Sequence, residues 1–328
     1  MKSRKQVAKT VYFGAILLLM LVVLCSLAQI LRYWFWDNGV VDQQDTTSKT
    51  VMKDGVAYFP RQDITVVLVA GIDQYGKVES SGSYNNHGAA DMVMLLVLDD
   101  ANQKYDVLYL NRDTMLTMPV LGIGSKPAGT NYGQLALSHT YGTGLEDSCE
   151  NVRKTVSDFL HGIQIDYYVA MNMDAVSILT DAVGGVTVNV TEDFSAIDPT
   201  IGLGTVKLNG SQAINYVRTR KDVGDQLNLS RIDRQQDFVD SFLQTFAQKR
   251  NDDAFFFADV LESVGGYMVT DCTAASINNL YNRCSTYQAG DIYTPDGKNV
   301  MGEKYYEFYV EEEHLEDLTL QLFYAPKK

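Results

Sequence analysis

The sequence predicts an α/β domain with a mixed central sheet, carried behind one membrane-spanning helix. Three observations lead there. Residues 11–31, VYFGAILLLMLVVLCSLAQIL, form a nearly uncharged run, long enough to cross a bilayer as a helix rising about 1.5 Å per residue. Three apolar runs then follow one another, ITVVLVA at 64–70, MVMLLVL at 92–98 and YDVLYL at 105–110. Runs of that kind belong to strands buried on both faces. Beyond them, helical spacings alternate with further short strands, the element order of an α/β domain.

Lys2, Arg4, Lys5 and Lys9 precede the apolar run, so residues 1–10 are expected in the cytoplasm and the rest of the chain outside the cell membrane. Tyr33, Trp34, Phe35 and Trp36 follow as an aromatic belt. Ser26-Leu27-Ala28 offers small residues for signal cleavage, but apolar character continues to Trp36, which favours a retained anchor. Residues 32–60, polar and mixed from 37 onward, read as a stalk with little structure. The extracytoplasmic domain is expected over 61–328, with a core at 64–250 and a C-terminal extension at 251–328.

Within that domain the first strand runs into Gly71-Ile72-Asp73, and a Gly/Ser/Asn-rich loop covers 74–88. Asp91 opens the second strand, and the third runs into Asn111-Arg112-Asp113-Thr114. If the middle strand is antiparallel to the outer two, Asp73, Asp91 and Arg112 share one edge of the sheet. Ligands of open α/β sheets gather at such edges. A Gly-rich loop comes next, then a short helical segment near 134–140 and a helix near 147–160. A strand follows at 166–171, a helix at 174–183 stopped by Gly184-Gly185, and a strand at 186–190. A helix capped by Asn209 or Ser211 runs to about Thr219, and Ser230 with Asp233 resembles a capping box for the next one. Later elements are a helix at 275–283, a Tyr-rich strand at 305–310 and a last helix at 313–323.

The formal net charge of −14 argues against nucleic acid as a general partner. Cys272 and Cys284 are the two cysteines with the option of pairing outside the cell, and Cys25 lies in the apolar run. There is no CxxC, and the four histidines are scattered, which excludes an ordinary zinc site. His139 reads as structural. Against this acidic background, Arg218, Arg220, Arg231 and Arg234 crowd into one stretch, YVRTRKDVGDQLNLSRIDRQQ. Guanidinium forks match phosphate oxygens two at a time, and Arg231 and Gln235 share a face at a helix N-terminus, where anions bind. Surface arginines in ordinary helix salt bridges are the competing account. Asp73 and Asp91, with substrate phosphates completing the oxygen shell, suit Mg²⁺. Arg112, Arg218, Arg220 and Arg231 supply the opposite charge, so the set describes a site for a metal-bound diphosphate. Asp113 and Thr114 read as caps of the turn after the third strand, with a catalytic role as the competing account. An apolar cavity for a lipid tail is expected behind the arginines, among the strands at 64–70, 91–98 and 105–110 and the helices around 174–183 and 232–246.

VLVAGID, AADMVMLLVL, LNRDTM, DYYVAMNMDAVSILTDAVGGVTVNV, LNGSQAINYVRTR and SRIDRQQ stand in order between Val66 and Gln236. In this order and spacing the chain resembles the LytR-CpsA-Psr family of membrane-anchored cell-wall proteins. The resemblance implies an extracytoplasmic α/β/α sandwich around a mixed sheet, behind one transmembrane helix. It implies a transferase, assisted by Mg²⁺ or Mn²⁺, that moves a glycopolymer such as a teichoic acid or capsular polysaccharide. The donor would be a polyprenyl-diphosphate carrier, the acceptor peptidoglycan, and the product a phosphodiester. By the same resemblance Asp73 and Asp91 hold the metal and Arg112 acts in catalysis with them. Arg112, Arg218, Arg220, Arg231 and Gln235 bind the diphosphate.

Three positions depart from the family pattern. Ala89 stands where the family has Arg, Asn228 where it has Asp, and Asn111 where it has Pro. Asp222 and Asp225 are close enough in sequence to replace the second of these. Two other functions therefore stay open on the same fold: a non-catalytic binder of lipid-linked glycans or wall-associated regulator, and a polyprenyl-diphosphate phosphatase. A transcription regulator is disfavoured, because only about ten basic N-terminal residues would face the cytoplasm.

Overall fold

The computed structural model describes residues 50–219, 223, 234, 237–238, 241–242, 244–246, 248–249, 252–253, 256–273, 276, 279–280, 283 and 286–326. The expected membrane span, Arg220, Arg231, Gln235, Asn228, Asp222, Asp225, Ser230, Asp233, Cys25 and Cys284 lie outside these residues. Among the described residues no helix is long and apolar enough to cross a membrane.

The chain opens with two short strands, β1 (Val51–Lys53) and β2 (Val56–Pro60), and then enters β3 (Ile64–Ile72), β4 (Ala90–Asp99) and β5 (Lys104–Leu110). A hairpin of β6 (Met115–Gly122) and β7 (Lys126–Gln134) follows, then α1 (Glu146–Phe159), β8 (Tyr167–Asn172) and α2 (Met173–Ala182). The next elements are β9 (Val186–Val190), β10 (Gly204–Leu208), α3 (Gly210–Arg218), α4 (Phe256–Val264), β11 (Met268–Thr270) and β12 (Gln288–Tyr293). The chain ends in β13 (Gly297–Met301), β14 (Tyr306–Val310), α5 (Glu312–Phe323) and β15 (Tyr324–Pro326).

The main sheet has six strands in the order β11-β8-β3-β4-β5-β12. β4 is antiparallel to both β3 and β5, while β8 is parallel to β3 and β12 to β5. The sheet is therefore mixed, and the condition that gathers Asp73, Asp91 and Arg112 on one edge is met. Because side chains alternate along a strand, each apolar run feeds two cores. Val67, Val69, Met94 and Leu96 pack with Leu179 of α2, Tyr216 of α3, Val260 and Val264 of α4, and with Phe238, Phe242 and Phe246. Val66, Leu68, Ala70, Val93 and Leu95 pack on the opposite face with Val152 and Val156 of α1 and with Leu315, Leu318 and Leu322 of α5. The result is an α/β/α sandwich. The described side chains expected to border an apolar cavity are these same packed core residues.

Local capping agrees with the sequence. Asn209 and Gln212 form a capping box at the start of α3, and Gly184 and Gly185, at φ 81° and 96°, end α2 in a conformation that favours glycine.

Two expectations fail. The described end of the expected stalk is not unstructured, because β1 and β2 pair with each other and β2 pairs with β15. The Gly-rich loop after the third strand is the β6–β7 hairpin, paired from Met115↔Gln134 to Gly122↔Lys126. Most of β7 is exposed, so it lacks the apolar alternation by which a strand is read.

Candidate functional site

The charged cluster is built by where strands stop. Asp73 is the first residue beyond β3, and its N–H donates to the Ala89 carbonyl at 2.9 Å, extending the β3–β4 ladder past a register shift at Gly71/Ile72. Asp91, the second residue of β4, thus lies beside it. At the end of β5 the Asn111 side chain accepts from the Asp113 N–H at 3.0 Å, and the Thr114 hydroxyl donates to the Asn111 carbonyl at 2.6 Å. This turn aims Arg112 at Asp91, whose Oδ1 pairs with Nη1, and brings Nε 3.4 Å from Asp113 Oδ1. Thr114 closes the turn as expected. Asp113 does not cap with its carboxylate, which faces Arg112 and accepts from Gln134 Nε2 at 3.0 Å.

Arg218 arrives from another layer. It is the last residue of α3, where a cation also suits the helix dipole. Its Nη2 lies 3.2 Å from Asp73 Oδ1, and its Nη1 donates to the Tyr75 hydroxyl at 2.6 Å. Asp73, Asp91, Arg112 and Arg218 are therefore brought together. Arg220, Arg231 and Gln235 lie outside the described residues.

Burial raises the Asp91 carboxyl above its ordinary range, and the nearby Asp73 and Asp113 add to this while Arg112 and Arg218 oppose it. The donors are all carboxylate oxygens, which suits a hard cation, and a positive charge arriving here would relieve the crowding of anions around Asp91. Among the described residues no group of three or more His, Cys, Asp or Glu is arranged to hold a metal. Asp73 and Asp91 would leave most of a cation's oxygen shell to phosphate and water.

Arg234, counted with the other arginines in the sequence, is structural. It is 5 % exposed, its Nε donates to the Tyr216 carbonyl at 3.0 Å, and it pairs with Glu192 and the Thr219 carbonyl. Its guanidinium lies 5.4 Å from the Phe194 ring centre. It ties off the end of α3 and so fixes the helix that carries Arg218.

His139 is also structural, as expected. Its Nδ1 lies 2.7 Å from the Gly88 carbonyl, which can only accept, so the neutral ring carries its proton on Nδ1. Asn86 reinforces the same loop, donating to the carbonyls of His139 and Gly142 and accepting from the Gly88 N–H. Together they hold the approach to Ala89 and Asp91. Cys272 is a buried free thiol.

Sequence reasoning missed Tyr75 and Gln134, and it ranked a cap above a site position for Asp113, whose carboxylate faces Arg112. Tyr75 carried a faint signal, an aromatic ring in a polar loop just past Asp73. Gln134 carried none, because its partners Asp113 and the Tyr306 carbonyl are distant in sequence.

The fold and the edge cluster define an α/β/α protein with carboxylates and guanidinium groups paired at one edge of its central sheet. The LytR_cpsA_psr family model matches residues 35–323, and the chain belongs to that family. It is 25 % identical over 299 residues to the polyisoprenyl-teichoic acid–peptidoglycan teichoic acid transferase TagU of Bacillus subtilis (strain 168), covering 88 % of each chain. The TagU of Enterococcus faecalis (strain ATCC 700802 / V583) is 27 % identical over 265 residues, covering 80 % of this chain and 78 % of that protein. Among solved structures, protein gbs0355 from Streptococcus agalactiae superposes with a TM-score of 0.62 at 22 % identity, over 79 % of this chain and 86 % of its own. TagV of B. subtilis superposes with a TM-score of 0.56 at 21 % identity, over 80 % of this chain and 96 % of its own. These structures share the fold.

Proposed function

We propose that this protein is a membrane-anchored transferase that moves a glycopolymer from a polyprenyl-diphosphate carrier to peptidoglycan. Residues 11–31 anchor it, with the N-terminus in the cytoplasm and the domain outside. The observation that carries this reading is the pairing of Arg218 with Asp73 and of Arg112 with Asp91 at one sheet edge. The relatives named as teichoic acid–peptidoglycan transferases support the same class of reaction.

In the reaction an acceptor hydroxyl oxygen attacks the phosphorus that bears the polymer. A new P–O bond forms, the P–O–P bridge breaks, and the prenyl phosphate leaves with the bridging oxygen. Arg112 and Arg218 shift from their carboxylates onto the diphosphate, joined by Arg220, Arg231 and Gln235. The exchange costs little, because a half-exposed ion pair is worth only about 0–1 kcal/mol, whereas two-pronged contacts to phosphate are among the stronger hydrogen bonds. Asp73 and Asp91 would hold Mg²⁺ or Mn²⁺, which when bound offsets negative charge on the diphosphate. Asp113, outside that pair, takes the proton of the acceptor hydroxyl.

The test is incubation of the full chain with a lipid-diphosphate oligosaccharide, Mg²⁺ and peptidoglycan fragments, read by mass spectrometry. Coupled product supports the transferase. Release of free phosphorylated glycan, with no coupled product, makes the protein a phosphatase. Unchanged lipid that nevertheless binds makes it a non-catalytic binder, the outcome that the loss of an arginine at Ala89 favours.

A further inference from the structure

Next to the charged cluster the described surface carries a group of exposed aromatic rings. Tyr132 is 57 % exposed, Tyr305 70 %, Tyr306 62 % and Tyr309 42 %. Tyr132 lies on β7, and the other three lie on the β13–β14 hairpin and its turn. The hairpin is anchored from within. Phe308 is buried, bridges to Thr114, and donates its N–H to the Asp113 carbonyl at 2.8 Å. Residues on either side of Phe308 in the strand face the other way, which turns Tyr309 and Glu307 outward. The Tyr309 hydroxyl donates to Glu307 Oε2 at 2.6 Å. That bond raises the Tyr309 phenol pKa. Tyr132 pairs with Thr117 on β6, and Thr114, just before β6, bridges to Phe308, so the two hairpins meet beside each other.

This surface is continuous with the candidate site. Gln134 Nε2 donates both to the Tyr306 carbonyl at 2.8 Å and to Asp113 Oδ1 at 3.0 Å. Asp113 in turn faces Arg112. A ligand lying across the tyrosines ends at the carboxylate of the cluster that is outside the metal pair.

The composition narrows what that ligand is. The rings are tyrosines, each an apolar face with a polar tip, and Glu303 and Glu307 stand among them with the exposed Lys304 and with Lys298, which pairs with Tyr309, so the charges on the patch balance. A chain of net charge −14 is poorly matched to anionic lipid head groups. A pyranose strand is well matched, because its C–H faces cover aromatic rings while its hydroxyl and amide groups meet phenols and carboxylates.

We propose that the outward face carrying Tyr132 and Tyr309 is the docking platform for the acceptor, a β-linked amino-sugar strand, and that it leads the acceptor hydroxyl to Asp113. The assignment of the strand as acceptor rests on the transferase reading above, but binding of the strand is measurable without it.

The full chain in detergent is titrated with a β-1,4-linked N-acetylglucosamine hexamer and with soluble peptidoglycan strands. Wild type is compared with the Tyr132→Ala/Tyr309→Ala and Tyr132→Phe/Tyr309→Phe variants. The alanine pair is expected to weaken strand binding by about tenfold or more, while the phenylalanine pair keeps most of it. The apparent KM for the acceptor should rise in parallel, with lipid-diphosphate affinity unchanged. Tyr132→Ala alone provides a second variant if the alanine pair fails to fold. The platform is overturned if wild type does not bind the strands, or if alanine and wild type bind them equally. It is also overturned if the tyrosines govern binding to phosphatidylglycerol vesicles instead. Lipid-diphosphate turnover on the same samples separates the two ideas. Its absence in wild type strikes the transferase reading, whereas tyrosine-dependent strand binding in that same sample leaves a glycan-binding surface standing.

Discussion

Arg218, at the end of α3, lies with Nη2 3.2 Å from Asp73 Oδ1 at the end of β3, and each side chain keeps more than a third of its surface in solvent. The pair joins the helical layer to the sheet edge, yet exposure makes it weak. A guanidinium held this loosely is free to turn to a phosphate.

Arg218→Ala should therefore leave the fold intact and damage ligand binding. The expected change in stability is within about 1 kcal/mol, and the loss in affinity for a lipid diphosphate is about tenfold to a hundredfold. Arg218→Lys should fall between, because lysine keeps the charge but not the planar fork. Calorimetric titration beside a thermal melt checks both. A melt that collapses with the affinity would make Arg218 structural.

Arg234→Ala should do the reverse. Its guanidinium is buried against Glu192, Phe194 and two carbonyl groups of the α3 terminus. Removing one partner of a buried pair typically costs about 3–5 kcal/mol. Urea denaturation should show a loss of that order, and equal stability of variant and wild type would refute the assignment.

Arg112 opposes the rise in the Asp91 carboxyl pKa. Arg112→Ala should push that carboxyl higher still, because burial, Asp73 and Asp113 then act unopposed on it apart from Arg218. Carboxyl-carbon NMR titration in the absence of metal reads this directly, and a downward or absent shift would show that the two side chains do not interact in solution.

His139 predicts a pH dependence of stability. Burial lowers its pKa below the ordinary 6.5. The unfolded chain then binds a proton as pH falls past about 6.5, while the folded chain does not. The stability contributed by the neutral ring is present above that pH and is lost progressively as pH falls toward the folded value. His139→Asn keeps a donor for the Gly88 carbonyl but cannot titrate, so the slope of stability below about pH 6.5 should flatten. An unchanged slope in denaturation series would assign it to other groups.

Removal of divalent metal should abolish transfer, and Mg²⁺ or Mn²⁺ should restore it. Asp73→Asn should require more metal for half-maximal activity. Full activity in chelator would remove Asp73 and Asp91 from any metal role.

The sequence by itself determined the apolar strands and the charged residues at their ends. Continuous apolar runs such as 64–70 mark strands buried on both sides, but Asp73, Asp91 and Arg112 share one edge because β4 runs antiparallel to β3 and β5, a direction that the tertiary structure supplied. The Asn209–Gln212 box and the glycines after α2 were legible because capping is local chemistry. The β6–β7 hairpin was not, since its second strand is mostly exposed and has no apolar period. Only the tertiary structure gave the physical reason that Arg218 and Arg234 differ. Both are cations in one short stretch, but Phe194 and Glu192 close over the second while Asp73 and Tyr75 leave the first half in solvent. It also decided that Gln134 joins Asp113 to Tyr306. Helix and strand are written in neighbouring residues, whereas burial of a charge depends on partners that the chain brings in from far along its length.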